Sequence, residues 1–285
     1  MHWQTSRFRI DLSSPRVMGI VNVTPDSFSD GGLYASTKSA LSHCEQLLVD
    51  GAHILDIGGE SSRPGSPPVS LEVERARVLP VLREAVQLGV PVSVDSYKPE
   101  LMREALDLGA DIINDIWALR QPGAREAVAA HPRCGVCLMH MHGEPRTMQR
   151  EPLEGDAVPQ VLRFLQEASE ALLALGVDRD RIVWDPGIGF GKTLEQNFAL
   201  LARQQVLLAP GFGLLAGWSR KSSLGTVTGL PVIERMPASV AAALMAVERG
   251  AHVVRVHDVR ETIAALKVWG AVHSNSIAPA AGAPS

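Results

Sequence analysis

Asn22, Asp56, Asp95, Asn114, Asp115, His140, Asp185, Lys221, Arg255 and His257 share one property. Each stands near, at or just past the end of a short run rich in Val and Ile. Asp95, Asp185 and Asn114 are acceptors suited to a ring with several N–H donors, and Lys221 supplies a donor to a ring oxygen or nitrogen. Arg220, Arg255 and His257 are the types that hold an anion such as phosphate. Asn22 offers a hard, uncharged oxygen, suited to an Mg2+ ion shared with substrate phosphates. A polar residue after a strand is more simply a helix N-cap, but Lys221 and Arg255 have no acceptor to give an N-terminus. Together these residues point to a donor-rich heterocycle bearing phosphate. They would also suit several other phosphate-handling barrels.

Two loops and two motifs bear on the same region. Thr24 to Gly32 and Gly58 to Pro68 follow the first two runs. Both exceed the roughly 2–6 residues usual between strand and helix and read as mobile lids. Asp185-Pro186-Gly187-Ile188-Gly189-Phe190-Gly191-Lys192-Thr193 looks like a phosphate cradle and fails both tests for one. A Walker A loop needs glycine where Pro186 stands, and a dinucleotide fingerprint from Gly187 needs glycine or alanine where Lys192 stands. Its glycines suggest instead a backbone that approaches a ligand closely. His140-Met141-His142 puts two imidazoles on one side of an extended segment, but no acidic residue has the spacing to complete a zinc site. Cys134 and Cys137 have C-x-x-C spacing, yet in a strand their thiols face opposite ways. They read as small buried residues.

The elements that position these side chains alternate regularly. Eight apolar runs, Val17–Val21, Ile54–Ile57, Pro91–Asp95, Asp111–Asn114, Gly135–Met139, Arg181–Asp185, Phe212–Ala216 and His252–Val256, read as strands. Their near-continuous apolarity suits parallel strands covered on both faces. Helical stretches lie between them: Glu72 to Leu88 places Val73, Ala76, Leu79, Leu82 and Val86 on one face, and Val161 to Leu175 repeats the pattern. Gly51, Gly89, Gly109, Gly176 and Gly250 stand where helix C-caps belong. Eight βα units without a composition break predict an α/β fold, a single-domain (β/α)8 TIM barrel with its site at the carboxyl ends of the strands. Residues 1–15 form an N-terminal extension, 16–272 the barrel, and 273–285 a disordered tail of mostly Ala, Pro, Ser and Gly.

Composition sets outer limits. Of 285 residues, 27 are Lys or Arg and 31 Asp or Glu, and only 5% are aromatic, so neither a nucleic-acid surface nor a polybasic membrane contact is expected. The first residues have no apolar signal core. The longest apolar stretch, Ala238 to Val247, falls far short of the roughly 20 residues a spanning helix needs. Three cysteines cannot pair evenly, which favours the reducing cytoplasm.

The segments Gly19-Ile20-Val21-Asn22-Val23-Thr24-Pro25-Asp26-Ser27-Phe28-Ser29-Asp30-Gly31-Gly32 and Asp56-Ile57-Gly58-Gly59-Glu60-Ser61-Ser62-Arg63-Pro64-Gly65 are long and specific. With Val94-Asp95-Ser96, Ile113-Asn114-Asp115, Met139-His140-Met141, Asp185 to Lys192, Ser219-Arg220-Lys221-Ser222 and Arg255-Val256-His257-Asp258, the chain resembles the dihydropteroate synthases. The likeness runs from about Val17 to Trp269 and touches every strand end.

That resemblance implies a transferase of folate biosynthesis. It condenses 6-hydroxymethyl-7,8-dihydropterin pyrophosphate with p-aminobenzoate, with Mg2+ assistance, and is the target of sulfonamides. It implies that Asp95, Asn114, Asp185 and Lys221 hydrogen-bond the pterin, with Ile116, Met139 and the flat face of Arg255 on the ring. Asn22 would bind Mg2+, and Ser62, Arg255 and His257 the pyrophosphate. Phe28, Arg63, Pro64, Phe190 and Ser219 would surround p-aminobenzoate once both loops close. Asp95, Asp185, Lys221, Arg255 and His257 would carry the chemistry. The commoner family pattern has Thr at the position of Ser62, which keeps the hydroxyl and loses a methyl. The family usually pairs through late helices, so a homodimer is expected. The rival readings are a methyltetrahydrofolate-binding methyltransferase domain, a non-catalytic pterin-binding paralogue and a generic phosphate-binding barrel. The first would not need the Ser27–Gly32 loop, and the second would be expected to lose Asn22, His257 or a lid.

Overall fold

A computed structural model describes residues 1–24, 32–61, 65–145 and 147–276. Phe28, Ser62, Arg63 and Pro64, four of the expected site residues, lie outside them.

A short hairpin comes first, β1 (His2–Gln4) and β2 (Arg9–Asp11). The barrel strands are β3 (Arg16–Asn22), β4 (Ile54–Gly58), β5 (Val92–Asp95), β6 (Ile112–Asp115), β7 (Gly135–Met139), β8 (Ile182–Asp185), β9 (Gly213–Ala216) and β10 (Val253–Val256). Each expected run is met to within one residue at either end. All eight pair in parallel, and β10 closes the ring by pairing with both β9 and β3. Between them lie α1 (Gly32–Val49), α2 (Leu71–Ala85), α3 (Pro99–Asp107), α4 (Ala124–Ala130), α5 (Ala157–Leu173), α6 (Leu194–Ala202), α7 (Ser222–Thr228) and α8 (Met236–Glu248). The last helix, α9 (Val259–Ser276), continues past His273, where the sequence suggested a tail would begin. The His273 imidazole, within hydrogen-bond reach of the Trp269 carbonyl and of Glu248, fastens that last turn.

Period-two alternation sorts the strand residues. Val17, Leu55, Val94, Ile113, Leu138, Trp184 and Val254 point outward into the layer shared with the helices. Met18, Ile54, Ile112, Cys137, Val183, Leu215 and Val253 point inward and fill the lower barrel. Cys134 belongs to the outer layer, where Arg181 Nη2 donates to its Sγ, so the two thiols do face opposite ways.

The hairpin closes the bottom of the barrel. Trp3 has no exposed surface, and its Nε1 donates to the Arg181 carbonyl at 2.9 Å. Gly135 makes room for it, since a Cβ there would lie 2.9 Å from Trp3 Nε1. Arg7 adds an ion pair to the fully buried Asp111 at 2.5 Å. Trp3→Ala is therefore expected to destabilise the fold by about 3–5 kcal/mol, read as a lower urea midpoint.

The α2 face differs from expectation. Its buried stripe is Glu74, Val78, Val81, Leu82 and Ala85, and Val73 is 41% exposed. Ser70 caps the helix by accepting from the Val73 N–H, which leaves Glu74 inward, where it pairs with Lys98.

Candidate active site at the carboxyl rim

The same alternation that packs the lower barrel sets the site. Two residues beyond the inward Ile54, Ile112, Val183 and Val253 come Asp56, Asn114, Asp185 and Arg255, at the upper end of the barrel. Adjacent strands place Asp95 beside Asn114 and Met139 beside Asp185.

Arg255 ties this layer together. Its Nε donates to Asp56 Oδ2 at 2.6 Å and its Nη2 to Asp95 Oδ2 at 2.7 Å. Asn114 Nδ2 donates to the same Asp56 oxygen at 3.2 Å, so Asn114 has its carbonyl oxygen to offer a ligand N–H. Burial pushes the Asp95 carboxyl upward, and Arg255 works against it. For Arg255 itself, burial opposes the charge, but Asp56 and Asp95 hold it firmly protonated.

On the opposite wall, Asp185 Oδ1 accepts from the Gly187 N–H at 2.7 Å. Burial raises the Asp185 carboxyl above its usual range, while that hydrogen bond and Lys221 pull it back down. Lys221 stands over the Phe190 ring, with Nζ 4.3 Å from its centroid. Burial lowers Lys221 to about 8, with Asp185 favouring the charged form. Ile116, Met139, Met141, Met148 and Phe190 form an apolar cluster at this rim, flanked by Tyr97 and Trp117. A cleft of about 260 Å³ runs from Asp95 and Ile116 out to Glu60, Tyr97 and Trp117. The arrangement suits a flat heterocycle: acceptors and a cation at its edges, sulfur and aromatic groups against its faces.

The remaining expected residues fall on the same rim. Ser219 Oγ and His257 Nδ1 are 2.9 Å apart, and the His257 N–H also donates to Ser219 Oγ. Asn22 ends β3, in register with Gly58.

Two expectations need correction. Arg220 was a candidate anion holder, but its guanidinium is engaged by Asp258 at 2.5 Å, with Nε on the second oxygen at 3.2 Å. The glycines of the Asp185–Thr193 turn make room for protein backbone as well as for a side chain near the ligand. A Cβ at Gly187 would lie 1.8 Å from the His140 carbonyl oxygen, and one at Gly191 2.3 Å from that of His142. Gly189 faces Lys221. The His140 imidazole is buried against the Phe164 ring and held neutral by burial and by Lys192. Among the described residues, no group of three or more His, Cys, Asp or Glu side chains is placed to hold a metal ion.

Residues 18–257 match the family of pterin binding enzymes. The dihydropteroate synthase of Neisseria meningitidis serogroup B is 52% identical over 279 residues, covering 96% of this chain and 98% of that protein. The chain belongs to the dihydropteroate synthases. A dihydropteroate synthase from Escherichia coli K12 is 47% identical, covering 91% of this chain and 92% of its own. Among solved dihydropteroate synthases, that of Burkholderia cenocepacia, complexed with 7,8-dihydropteroate, matches with a TM-score of 0.88 at 48% identity. The match covers 96% of this chain and 97% of that one. The Xanthomonas albilineans enzyme with 4-aminobenzoic acid gives a TM-score of 0.90 at 47% identity, covering 98% and 100%.

One functional side chain of this dihydropteroate synthase went unassigned in the sequence. Asp56 lies inside β4, two residues before its end, and is fully buried, serving protein groups, Arg255 and Asn114. Its Oδ1 has no hydrogen-bond partner among the described residues. The Arg255 so close in space is 199 positions away in sequence, and no local pattern signals that pairing.

Proposed function

We propose that this chain joins 6-hydroxymethyl-7,8-dihydropterin pyrophosphate to p-aminobenzoate, releasing 7,8-dihydropteroate and pyrophosphate. The observation behind this reading is the layer of Asp95, Asn114, Asp185, Lys221 and Arg255 over an apolar barrel. The solved relatives hold the product in one case and 4-aminobenzoic acid in another.

Asn114 and Asp185 accept from the N–H edge of the pterin, and Lys221 donates to its polar atoms. Met139, Ile116 and the guanidinium plane of Arg255 lie on its faces. As the C–O bond to pyrophosphate breaks, Arg255 and His257 take up the charge of the leaving group. Asp95 and Asp185 favour positive charge on the pterin-methyl group. The aniline nitrogen then forms the C–N bond and gives up a proton to the released pyrophosphate. Phe190 and Ser219 stand on the p-aminobenzoate side; Phe28, Arg63 and Pro64, expected there with them, and Ser62, expected at the pyrophosphate, lie outside the described residues.

An Mg2+ ion fits this rim only in a limited way. Asn22 is a single neutral oxygen ligand, and no acidic cluster surrounds it among the described residues. Such a site suits an ion that arrives on the pyrophosphate, where it would neutralise leaving-group charge.

Val227, Ile233, Met245, Val268 and Val272 are each more than half exposed on α7, α9 and the elements between them. They support pairing of two copies through the late helices. The three cysteines are free and buried, as in a protein of the reducing cytoplasm. No helix among the described residues is long and apolar enough to cross a membrane.

Pyrophosphate release, measured with and without p-aminobenzoate and with and without Mg2+, tests the reading. Release that depends on both, with 7,8-dihydropteroate formed, is expected. No release under any condition would indicate a binding paralogue, and methyl transfer to a corrinoid would indicate the methyltransferase class.

A further inference from the structure

Lys192 is a buried amine that the reaction above does not use; burial lowers it to about 7, with Asp185 favouring the charged form. It is 3% exposed, and its Nζ donates to three neutral carbonyls: Gly187 at 2.8 Å, Phe190 at 3.1 Å and His140 at 3.3 Å. Burying an ammonium among neutral dipoles is expensive, and a side chain needed only to fill space would be apolar. Three carbonyl oxygens are served together only by the ammonium form, because a neutral amine has two N–H donors.

Those three oxygens come from two loops. His140 follows Met139 at the end of β7, while Gly187 and Phe190 belong to the turn that follows Asp185 at the end of β8. The His140 N–H donates to the Asp185 carbonyl at 3.0 Å, and the Gly187 and Gly191 backbones press against the carbonyls of His140 and His142. Asn197 grips the turn from α6, accepting from the Gly189 N–H at 2.7 Å and donating to the Lys192 carbonyl at 3.3 Å. Lys192 is the charged fastener in this assembly. On one side of it the Gly187 N–H orients the Asp185 carboxylate, and on the other Phe190 supports Lys221.

We infer that Lys192 is a positioning residue for the reaction: its ammonium clamps the Asp185–Phe190 turn onto the end of β7, fixing Asp185, Phe190 and Lys221 around the pterin. The inference rests on reading this rim as the pterin site. It predicts coupled displacement of Asp185 and Lys221 when the clamp is lost.

The test compares Lys192→Met, Lys192→Gln and Lys192→Arg with the parent enzyme by steady-state kinetics, well below each unfolding midpoint. Losing hydrogen bonds from a charged donor is expected to lower kcat/KM for the pterin pyrophosphate about 10- to 100-fold in Lys192→Met, chiefly through a higher KM. Lys192→Arg, which keeps charge and donors, is expected to recover most of the loss, with Lys192→Gln intermediate. A role in folding alone would lower the unfolding midpoint and the active fraction while leaving KM where it was. That result in Lys192→Met, or in Lys192→Gln should the Met variant not fold, overturns the inference. Turnover by the parent is the control: its absence would refute the proposed function itself, whereas an active parent with unmoved variants refutes only the clamp.

Discussion

Asp185→Asn is expected to lower kcat/KM for the pterin pyrophosphate by roughly 100- to 1000-fold, the scale of losing a preorganised group aimed at developing charge. The substitution isolates the charge. Asn keeps an oxygen that can accept from the Gly187 N–H, as Asp185 Oδ1 does at 2.7 Å, so the turn stays in place. What changes is the other atom. Asp185 Oδ2 lies toward Gly217, where even an added Cβ would stand 3.8 Å away, and an Asn there turns an NH2 toward the ligand. A donor then meets the donors of the ring, and the negative charge that favours a pterin-methyl cation is gone. Circular dichroism and a urea titration should show a folded protein. Full turnover by Asp185→Asn or Asp185→Ala would remove Asp185 from the mechanism.

The second large effect is expected at a residue that we assign no contact with substrate. Asp56→Ala leaves Arg255 with Asp95 as its remaining carboxylate and takes away the acceptor of Asn114 Nδ2. Removing one member of a buried ion pair costs about 3–5 kcal/mol, and Asp95 keeps this case near the lower end. The unfolding midpoint should fall. Turnover of the folded protein should fall as well, since Arg255 is then free to swing toward Asp95 and away from the leaving group. A variant with an unchanged urea midpoint and unchanged kcat/KM would mean that Asp95 alone holds Arg255.

The contrast between these two carboxylates shows what a sequence displays. Asp185 ends a Val- or Ile-rich run and Asp56 lies within one, and the eight runs are legible because strands covered on both faces need not alternate with polar residues. The polar ends are legible too, since Lys221 and Arg255 cannot cap a helix N-terminus and so mark the rim as more than a set of caps. Partners are not. Asp56 meets Arg255, Arg220 meets Asp258 and Lys192 meets His140 only once their strands are assembled, across separations of 199, 38 and 52 residues. The turn glycines misled for a related reason. A glycine reports that something comes close, and at Gly187 and Gly191 that something is a neighbouring carbonyl. In α2, period alone favoured the apolar Val73 for the interior, but Lys98 holds Glu74 there instead.

The hairpin below the barrel has a consequence for traffic through the site. With Trp3 wedged beneath Met18, Ile54, Ile112, Val183 and Val253, the lower barrel is closed among the described residues, and the carboxyl rim is the way in. Every reactant arrives, and every product departs, across the same rim. Under the function proposed above, a pterin held on the Asp95, Asn114 and Asp185 layer would lie deeper than p-aminobenzoate and would have to enter first. Once the two are joined, the inner half can leave only behind the outer one. The order of arrival and departure would then follow from the architecture, a barrel whose floor is packed with side chains and capped by Trp3.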